Sequence, residues 1–322
     1  MGKRTRFIMQ STLGIITGAI LFVVLVFVYL CIREHRPRAI ESVSIRAGEE
    51  RILESGTPFR ILSWNISSAG FSVSNGETAE AGGAAVIEDN LIGILRSISE
   101  IDAAVILFQE LDIDSRRSWY YNELDFLSAN TAYSAAFAYN FLCAFVPFPL
   151  PPIGKVGSGL LTLNTFKAID ATRISLPASF KWPLRIAKPK QCLLVERISV
   201  GEHDLVLVNL HLEAYESSAA ANAEQAAILI DFLKAEYAQG NYCIAGGDFN
   251  RTLINNQSTY TLPADWRFVS DDSTPTCRIS EAQYSVTDGF ILSPNIDLIS
   301  IKTMDLGFRY SDHNPVEICI KL

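Results

Sequence analysis

The chain repeatedly builds a short run of apolar residues and closes it on a side chain able to do chemistry. AAVILF leads into Gln109 and Glu110, VLVNL into His211, and YCIAGG into Asp248 and Asn250, while RYSDHNPVEI carries His313 into a last apolar run. Runs this short read as strands buried on both faces rather than as helices. Residues 59–65, 103–108, 159–163, 192–198, 205–210, 242–245, 289–292, 298–301 and 316–320 fit that pattern. Residues 86–99, with Ile87, Leu91, Ile94, Leu95 and Ile98, carry helical spacing, as do residues 222–237, with Ala226, Leu229, Ile230 and Leu233. Strands outnumber helices, and the helices are spaced too irregularly for repeated βαβ units. No dinucleotide glycine fingerprint, phosphate-binding glycine loop or internal repeat is present. The expected fold is α/β, a four-layer sandwich of two mixed β-sheets flanked by helices.

One segment stands apart. Residues 13–32 contain no charge and are dominated by Leu, Ile, Val and Phe, matching the ~20 residues a helix needs to cross a bilayer. The run exceeds the apolar core of a signal peptide, roughly 7–15 residues. Its exit through Tyr29-Leu30-Cys31-Ile32 offers no small-residue cleavage site. It is therefore read as an uncleaved single-pass anchor in the cell membrane. Lys3, Arg4 and Arg6 on one side nearly balance Arg33, Arg36 and Arg38 on the other, so charge scarcely sets orientation. A first apolar segment so near the N-terminus usually exports the chain beyond it, and the large domain is expected to be extracytoplasmic. The expected division is a membrane anchor with basic flanks (1–38), a stalk (39–57) and one catalytic domain (58–322).

Residues 1–38 hold six of the 27 Lys and Arg and one of the 35 Asp and Glu, leaving 21 against 34 and a net charge near −13 beyond the anchor. Duplex-binding proteins usually carry a basic footprint, and none is visible here. The six cysteines, at 31, 143, 192, 243, 277 and 319, show no CxxC or zinc-ligand spacing.

Oxygen and carboxamide ligands with few imidazoles suit Mg²⁺, with Mn²⁺ as substitute, better than Zn²⁺. Glu110 emerges at the mouth of a buried strand, where a divalent cation would offset the cost of its charge. Asn65, after ILSW, closes a similar run. GGDFN sets Asp248 and Asn250 two apart, facing one way in an extended stretch, after glycines that permit a tight path. Asp312 and His313 put a carboxylate beside an imidazole, and Asp288 can fix a histidine tautomer.

The ordered set LSWNI, FQE, NLHLEAY, GGDFN, TDGF and SDHNP resembles the endonuclease/exonuclease/phosphatase superfamily, over roughly residues 58–322. That resemblance implies hydrolysis of a phosphoester by in-line attack of water, without a covalent intermediate. It implies Glu110 as principal Mg²⁺ ligand, Asn65 assisting the metal or phosphate, and Asp312 serving the metal site. Asp248 would orient or deprotonate the water, and Asn250 and His211 would hold phosphoryl oxygens. His313, paired with Asp288, would stabilise the transition state. Two departures stand out. Leu210 occupies a position before the first histidine where a small hydroxyl residue is common, so a hydrogen bond supporting the His211 loop is expected to be either missing or supplied by Asn209. Asn222 precedes Gln225 on a helix that commonly presents an arginine.

Substrate recognition is expected from Arg116, Lys155, Tyr139, Asn140 and Arg251. The proline-rich stretch FLCAFVPFPLPPIGKV, residues 141–156, is read as a rigid extended loop. Membrane tether and apolar loop favour a phosphodiesterase or phosphatase acting on a lipid-derived or small phosphorylated substrate. Nuclease activity on DNA or RNA is the alternative, and a non-catalytic binding protein would not need the intact acidic and histidine set. No obligate protein partner is indicated; the membrane is engaged through residues 13–32.

Overall fold

The computed structural model describes residues 2–70, 83–214, 219–253, 260–280 and 282–322. Two seven-stranded mixed sheets form the domain. The first runs in the order β1 (Ile40–Val43), β7 (Ala168–Ser175), β8 (Cys192–Val200), β9 (His203–His211), β10 (Tyr242–Asp248), β14 (Asp288–Leu292), β11 (Arg267–Val269). The second runs β15 (Asp297–Thr303), β16 (Val316–Lys321), β3 (Phe59–Asn65), β4 (Val105–Asp112), β6 (Gly154–Asn164), β5 (Ser134–Val146), β2 (Ile45–Arg46). A separate ribbon pairs β12 (Cys277–Ser280) with β13 (Gln283–Ser285). The parallel pairs are β3 with β4 and β9 with β10. Each is bridged by a crossover helix, α2 (Ala84–Ile101) and α4 (Ala219–Tyr237), as parallel neighbours require.

Strand alternation sorts the apolar residues into layers. Ile61, Val105, Leu107, Leu205, Leu207, Ile244 and Phe290 meet between the sheets. Leu62, Trp64, Ile106 and Phe108 face outward onto Ile87, Leu91 and Ile94 of α2. Val206, Val208, Leu210 and Ala245 face outward onto Leu229 and Leu233 of α4. The four layers are thus helix, sheet, sheet, helix, as the sequence pattern predicts. Buried glycines allow the close approach: a Cβ on Gly246 would lie 2.5 Å from the Phe290 ring.

The stalk reading of residues 39–57 needs correction. Residues 40–43 pair antiparallel with β7, residues 45 and 46 pair with β5, and Arg51 bridges Phe166. Val43 and Ile45 pack on Ala136, Ala138 and Leu160, so this segment covers an edge of both sheets. The proline-rich stretch is also mostly strand. It belongs to a long β5–β6 hairpin whose tip, residues 147–153, holds the prolines. The N-terminal helix α1 (Lys3–Ile32) is long and apolar enough to cross a membrane over Arg6–Ile32. A short helix α3 (Glu123–Ala129) completes the described helices.

Candidate active site

The inward-facing rows of both sheets end together. In β9 the row Leu205, Leu207, Asn209 ends on His211; in β10 Ile244 and Gly246 lead to Asp248; in β14 Leu292 and Phe290 lead back to Asp288. In β3 Ile61 and Ser63 lead to Asn65, and in β4 Val105 and Leu107 lead to Gln109. Asp248 pairs in register with both His211 and Asp288. Chemistry-bearing residues far apart in sequence are gathered by strand parity alone.

Glu110 departs from this rule, because alternation would point it outward. Its backbone takes φ 52°, and the β4–β6 register shifts between Phe108 and Leu111. The irregularity re-aims the carboxylate into the site, as bulges do. Gly247, at φ 152°, lies where a Cβ would meet the Leu210 carbonyl at 1.9 Å, so only glycine allows the chain to reach Asp248 here.

Asp248 Oδ2 is the focus. Asn65 Nδ2 donates to it at 3.2 Å, and His211 Nε2 and His313 Nε2 each lie 3.7 Å away. Asp248 Oδ1 accepts from the Asn250 amide at 2.8 Å. His313 Nδ1 is 2.8 Å from Asp288 Oδ2, which turns Nε2 toward Asp248. Burial disfavours the His313 imidazolium, yet the carboxylates of Asp288 and Asp248 outweigh it and raise its pKa well above the ordinary value. Asp248, Asp288 and His313 stand close enough to hold a cation, but the His313–Asp288 bond already uses Asp288 as an orienting partner. A hydrogen-bonded carboxylate–imidazole pair is therefore the better description.

The His313 loop is held by β3 and by its own Ser311. Trp64 Nε1 donates to the His313 carbonyl at 2.9 Å, the His313 amide to Ser311 Oγ at 3.1 Å, and Ser311 Oγ to the Asn65 carbonyl at 2.7 Å. Asp312 accepts from Ser67 Oγ and lies 4.0 Å from His313 Nε2.

Some expected roles change with the geometry. Asn65 Oδ1 accepts from the Ser67 amide at 3.1 Å, leaving its nitrogen to face Asp248 and, at 3.4 Å, Glu110. Asn65 thus orients carboxylates in this arrangement and does not offer an oxygen. Asn250 lies beyond β10 at φ 52°, and its side-chain nitrogen donates to the Leu212 carbonyl at 2.9 Å. The strand has already ended at Asp248, so Asp248 and Asn250 do not share an extended face. Asn209 does not support His211: its amide donates to the Phe108 and Leu161 carbonyls and accepts from Gln109 at 2.9 Å. His211 Nδ1 is buried without a hydrogen-bond partner among the described residues.

The expected substrate contacts disperse. Arg116 donates to the Pro152 carbonyl at 2.6 Å, and Lys155 pairs with Asp114. Asn140 Nδ2 donates to Gln191 at 2.9 Å. Tyr139 packs edge-on against Phe137 and lines a separate cavity of about 850 Å³ with His35, Arg38, Arg46 and Arg173. Arg251 is half-buried, makes no ion pair among the described residues, and leaves Nη2 without an acceptor there.

Of the adjacent pair Arg116 and Arg117, it is Arg117 that reaches the site. Arg117 makes two 2.8 Å bonds to buried Asp112 and lies 3.6 Å from Glu110. Burial pushes the Glu110 carboxyl up, but Arg117 and the two histidines hold it below the ordinary value. The i, i+5 relation to Asp112 carries no helical or strand signature, so the sequence marks Arg117 as a cation near Glu110 but not its partner. Asn222 and Gln225 also matter more than their spacing suggests. Asn222 Nδ2 donates to the Glu213 and Phe249 carbonyls at 2.8 and 3.0 Å, and Gln225 Oε1 accepts from the Glu213 amide at 3.0 Å. They lash the loops after His211 and Asp248 together.

This architecture is found in solved structures. The endonuclease/exonuclease/phosphatase from Beutenbergia cavernae DSM 12333 aligns at 17% identity and TM-score 0.59, over 82% of this chain and 72% of that one. An endonuclease/exonuclease/phosphatase from Bacteroides vulgatus aligns at 14% identity and TM-score 0.59, over 83% and 99%. The fold is theirs. D. rerio TDP2, complexed with single strand DNA product, aligns at 16% identity and TM-score 0.56, over 83% and 100%. No family model and no curated protein sequence matches the chain.

Proposed function

We propose that the chain is a metal-dependent phosphoester hydrolase acting by in-line attack of water, with a lipid-derived or small phosphorylated molecule as substrate. The observation that carries this is the convergence of Asn65, His211 and His313 on Asp248, with Asp288 behind His313. Asp248 is the group to orient the water and take its proton. The His313 imidazolium and the His211 ring are donors for phosphoryl oxygens that gain charge in the transition state. Asn250, whose side-chain nitrogen donates to the Leu212 carbonyl, steadies the loop after Asp248 and does not bind a phosphoryl oxygen in this arrangement.

Glu110 and Asp312 are the residues to hold Mg²⁺, or Mn²⁺ in its place. Both side chains are about one-third exposed at strand or loop ends, and both offer hard oxygen donors. The nearest cation to Glu110, Arg117, stands off at 3.6 Å. When bound, the ion would supply Lewis-acid charge to a phosphoryl oxygen.

Nuclease action is a second reading, favoured by the product complex of D. rerio TDP2 and opposed by the net charge near −13 beyond the anchor. The test is hydrolysis by the full-length protein of sphingomyelin, phosphoinositides, generic phosphodiesters, RNA and plasmid DNA, with Mg²⁺, Mn²⁺ or chelator. Metal-dependent release from a lipid or small phosphoester, abolished by Asp248→Ala, supports the first reading. Plasmid nicking abolished by the same change establishes the second. A folded, metal-binding protein that hydrolyses none of them sinks the enzyme reading.

A further inference from the structure

We infer that the site-bearing end of the sandwich rests on the bilayer entered by α1, through Trp182, Leu184 and the tip of the β5–β6 hairpin. Two contacts set the depth. The Phe27 ring of α1 meets the Trp182 ring edge-on, centroids 5.8 Å apart. Beyond the helix end, Arg185 Nε donates to Glu34 at 2.9 Å. Phe27 lies five residues inside the end of α1 at Ile32, about 8 Å along the axis at 1.5 Å per residue. A spanning α1 therefore holds Phe27, and with it Trp182, below the headgroup boundary. Three residues on, Arg185 stands level with Glu34 among the headgroups. Polarity follows depth on both chain segments: aromatic against aromatic inside, ion pair outside. Tryptophan is the side chain most at home at such an interface.

The neighbouring surface has the same character. Trp182 is 56% exposed, Leu184 65%, Phe148 70% and Leu150 77%, large apolar side chains that the core leaves out. The turn Leu184–Ala187 packs on the end of β5, where Cys143 Sγ lies 3.5 Å from the Ile186 carbonyl and Ala187 joins the Cys143–Val146–Val156 cluster. Turn and hairpin tip therefore form one ridge. Lys181 flanks it with charge suited to anionic headgroups.

Strand register ties this ridge to the site. Asp248 pairs with His211, Leu210 with Leu193, and Cys192 with Ser175, whose amide donates to the Ala39 carbonyl at 2.8 Å. The chain emerging from α1 thus lies three strands from His211 and four from Asp248. For His211, the nearer of the two, that is about 14 Å at ~4.8 Å per strand. Ser179, three residues before Trp182, donates to Glu213, two residues past His211. The docking does not depend on the proposed activity. Its consequence does: if the site is a phosphoesterase, it opens beside phosphoesters carried in that bilayer.

The test uses the full-length protein carrying Trp119→Phe, reconstituted in phosphatidylcholine–phosphatidylglycerol vesicles with acyl chains brominated near the headgroup. Trp64 is fully buried and Trp266 packs on Tyr237, so lipid quenching of tryptophan emission reports Trp182. Strong quenching is expected, with most of it lost in Trp182→Phe and regained when Leu184→Trp is added. Regain also shows that the intermediate variant is folded. Emission insensitive to bromolipid, or unchanged quenching in Trp182→Phe, overturns the docking. Release of the chain from the vesicles by alkaline carbonate overturns its premise, that α1 spans.

Discussion

At the scale of single residues, the site concentrates its work on few atoms, and substitutions should separate the roles. Asp248→Ala and His313→Ala should each lower kcat by about 10²–10³, the range for losing a positioned acid–base or charge-stabilising group. Steady-state kinetics on the best phosphoester substrate checks this. Asp288→Asn keeps the shape but removes the charge that holds His313 protonated, and should cost about 10–100-fold, as for other orienting partners. A different residue should govern stability. Glu196 is buried between the sheets, bonded to Asn164 Nδ2 at 3.0 Å, and burial raises its pKa from 4.5 to about 8. The folded state therefore keeps a proton that the unfolded chain loses between those values. Its favourable contribution is complete below about 4.5 and is lost as pH rises to about 8, a few kcal/mol in all. Thermal unfolding of Glu196→Gln should lack that slope and exceed wild type at alkaline pH. The sequence exposed most of this cluster because histidine and carboxylate at the ends of apolar runs are conspicuous. It did not show which of Arg116 and Arg117 turns inward, because the Arg117–Asp112 pair forms only where the chain folds back onto the end of β4.

At the scale of elements, the site depends on strand ends and on the loops that leave them. Asn222 and Gln225 reach from α4 to the Glu213 and Phe249 backbones. Asn222→Ala removes bonds to two buried carbonyls, at about 1–3 kcal/mol of stability, and should lower kcat more than it raises KM because His211 and Asp248 lose their mutual register. Urea unfolding together with kinetics tests both parts. The central strands and the two crossover helices were legible from period alone, since burial on both faces leaves an unbroken apolar run; β5 and β7 were not. Residues 39–57 were not, because an edge strand shows one half-buried face and mimics a polar connector. The placement of Asn250 is illegible for a related reason: residue spacing of two implies a common face only while the backbone stays extended, and at φ 52° it does not.

At the scale of the whole molecule, cation binding should stabilise the fold through mass action. Mg²⁺ at a hundredfold its Kd should add about 2.7 kcal/mol, and Glu110→Gln should abolish the increase. A thermal-unfolding titration measures this without reference to activity. The sequence by itself determined the layered α/β class, the apolar N-terminal helix and the inventory of acidic, amide and imidazole groups. Each of these comes from local periodicity or residue chemistry. Tertiary structure alone decided which of those groups meet. Arg116, Lys155, Tyr139 and Asn140 lie near Glu110 in sequence or strand order, yet their side chains turn to other partners, while Asp248, Asp288 and His313 come together from separate elements. Proximity across two sheets depends on strand order, parity and register, and no single segment encodes these. The same is true of Phe27 and Trp182, residues far apart in the chain whose rings meet edge-on.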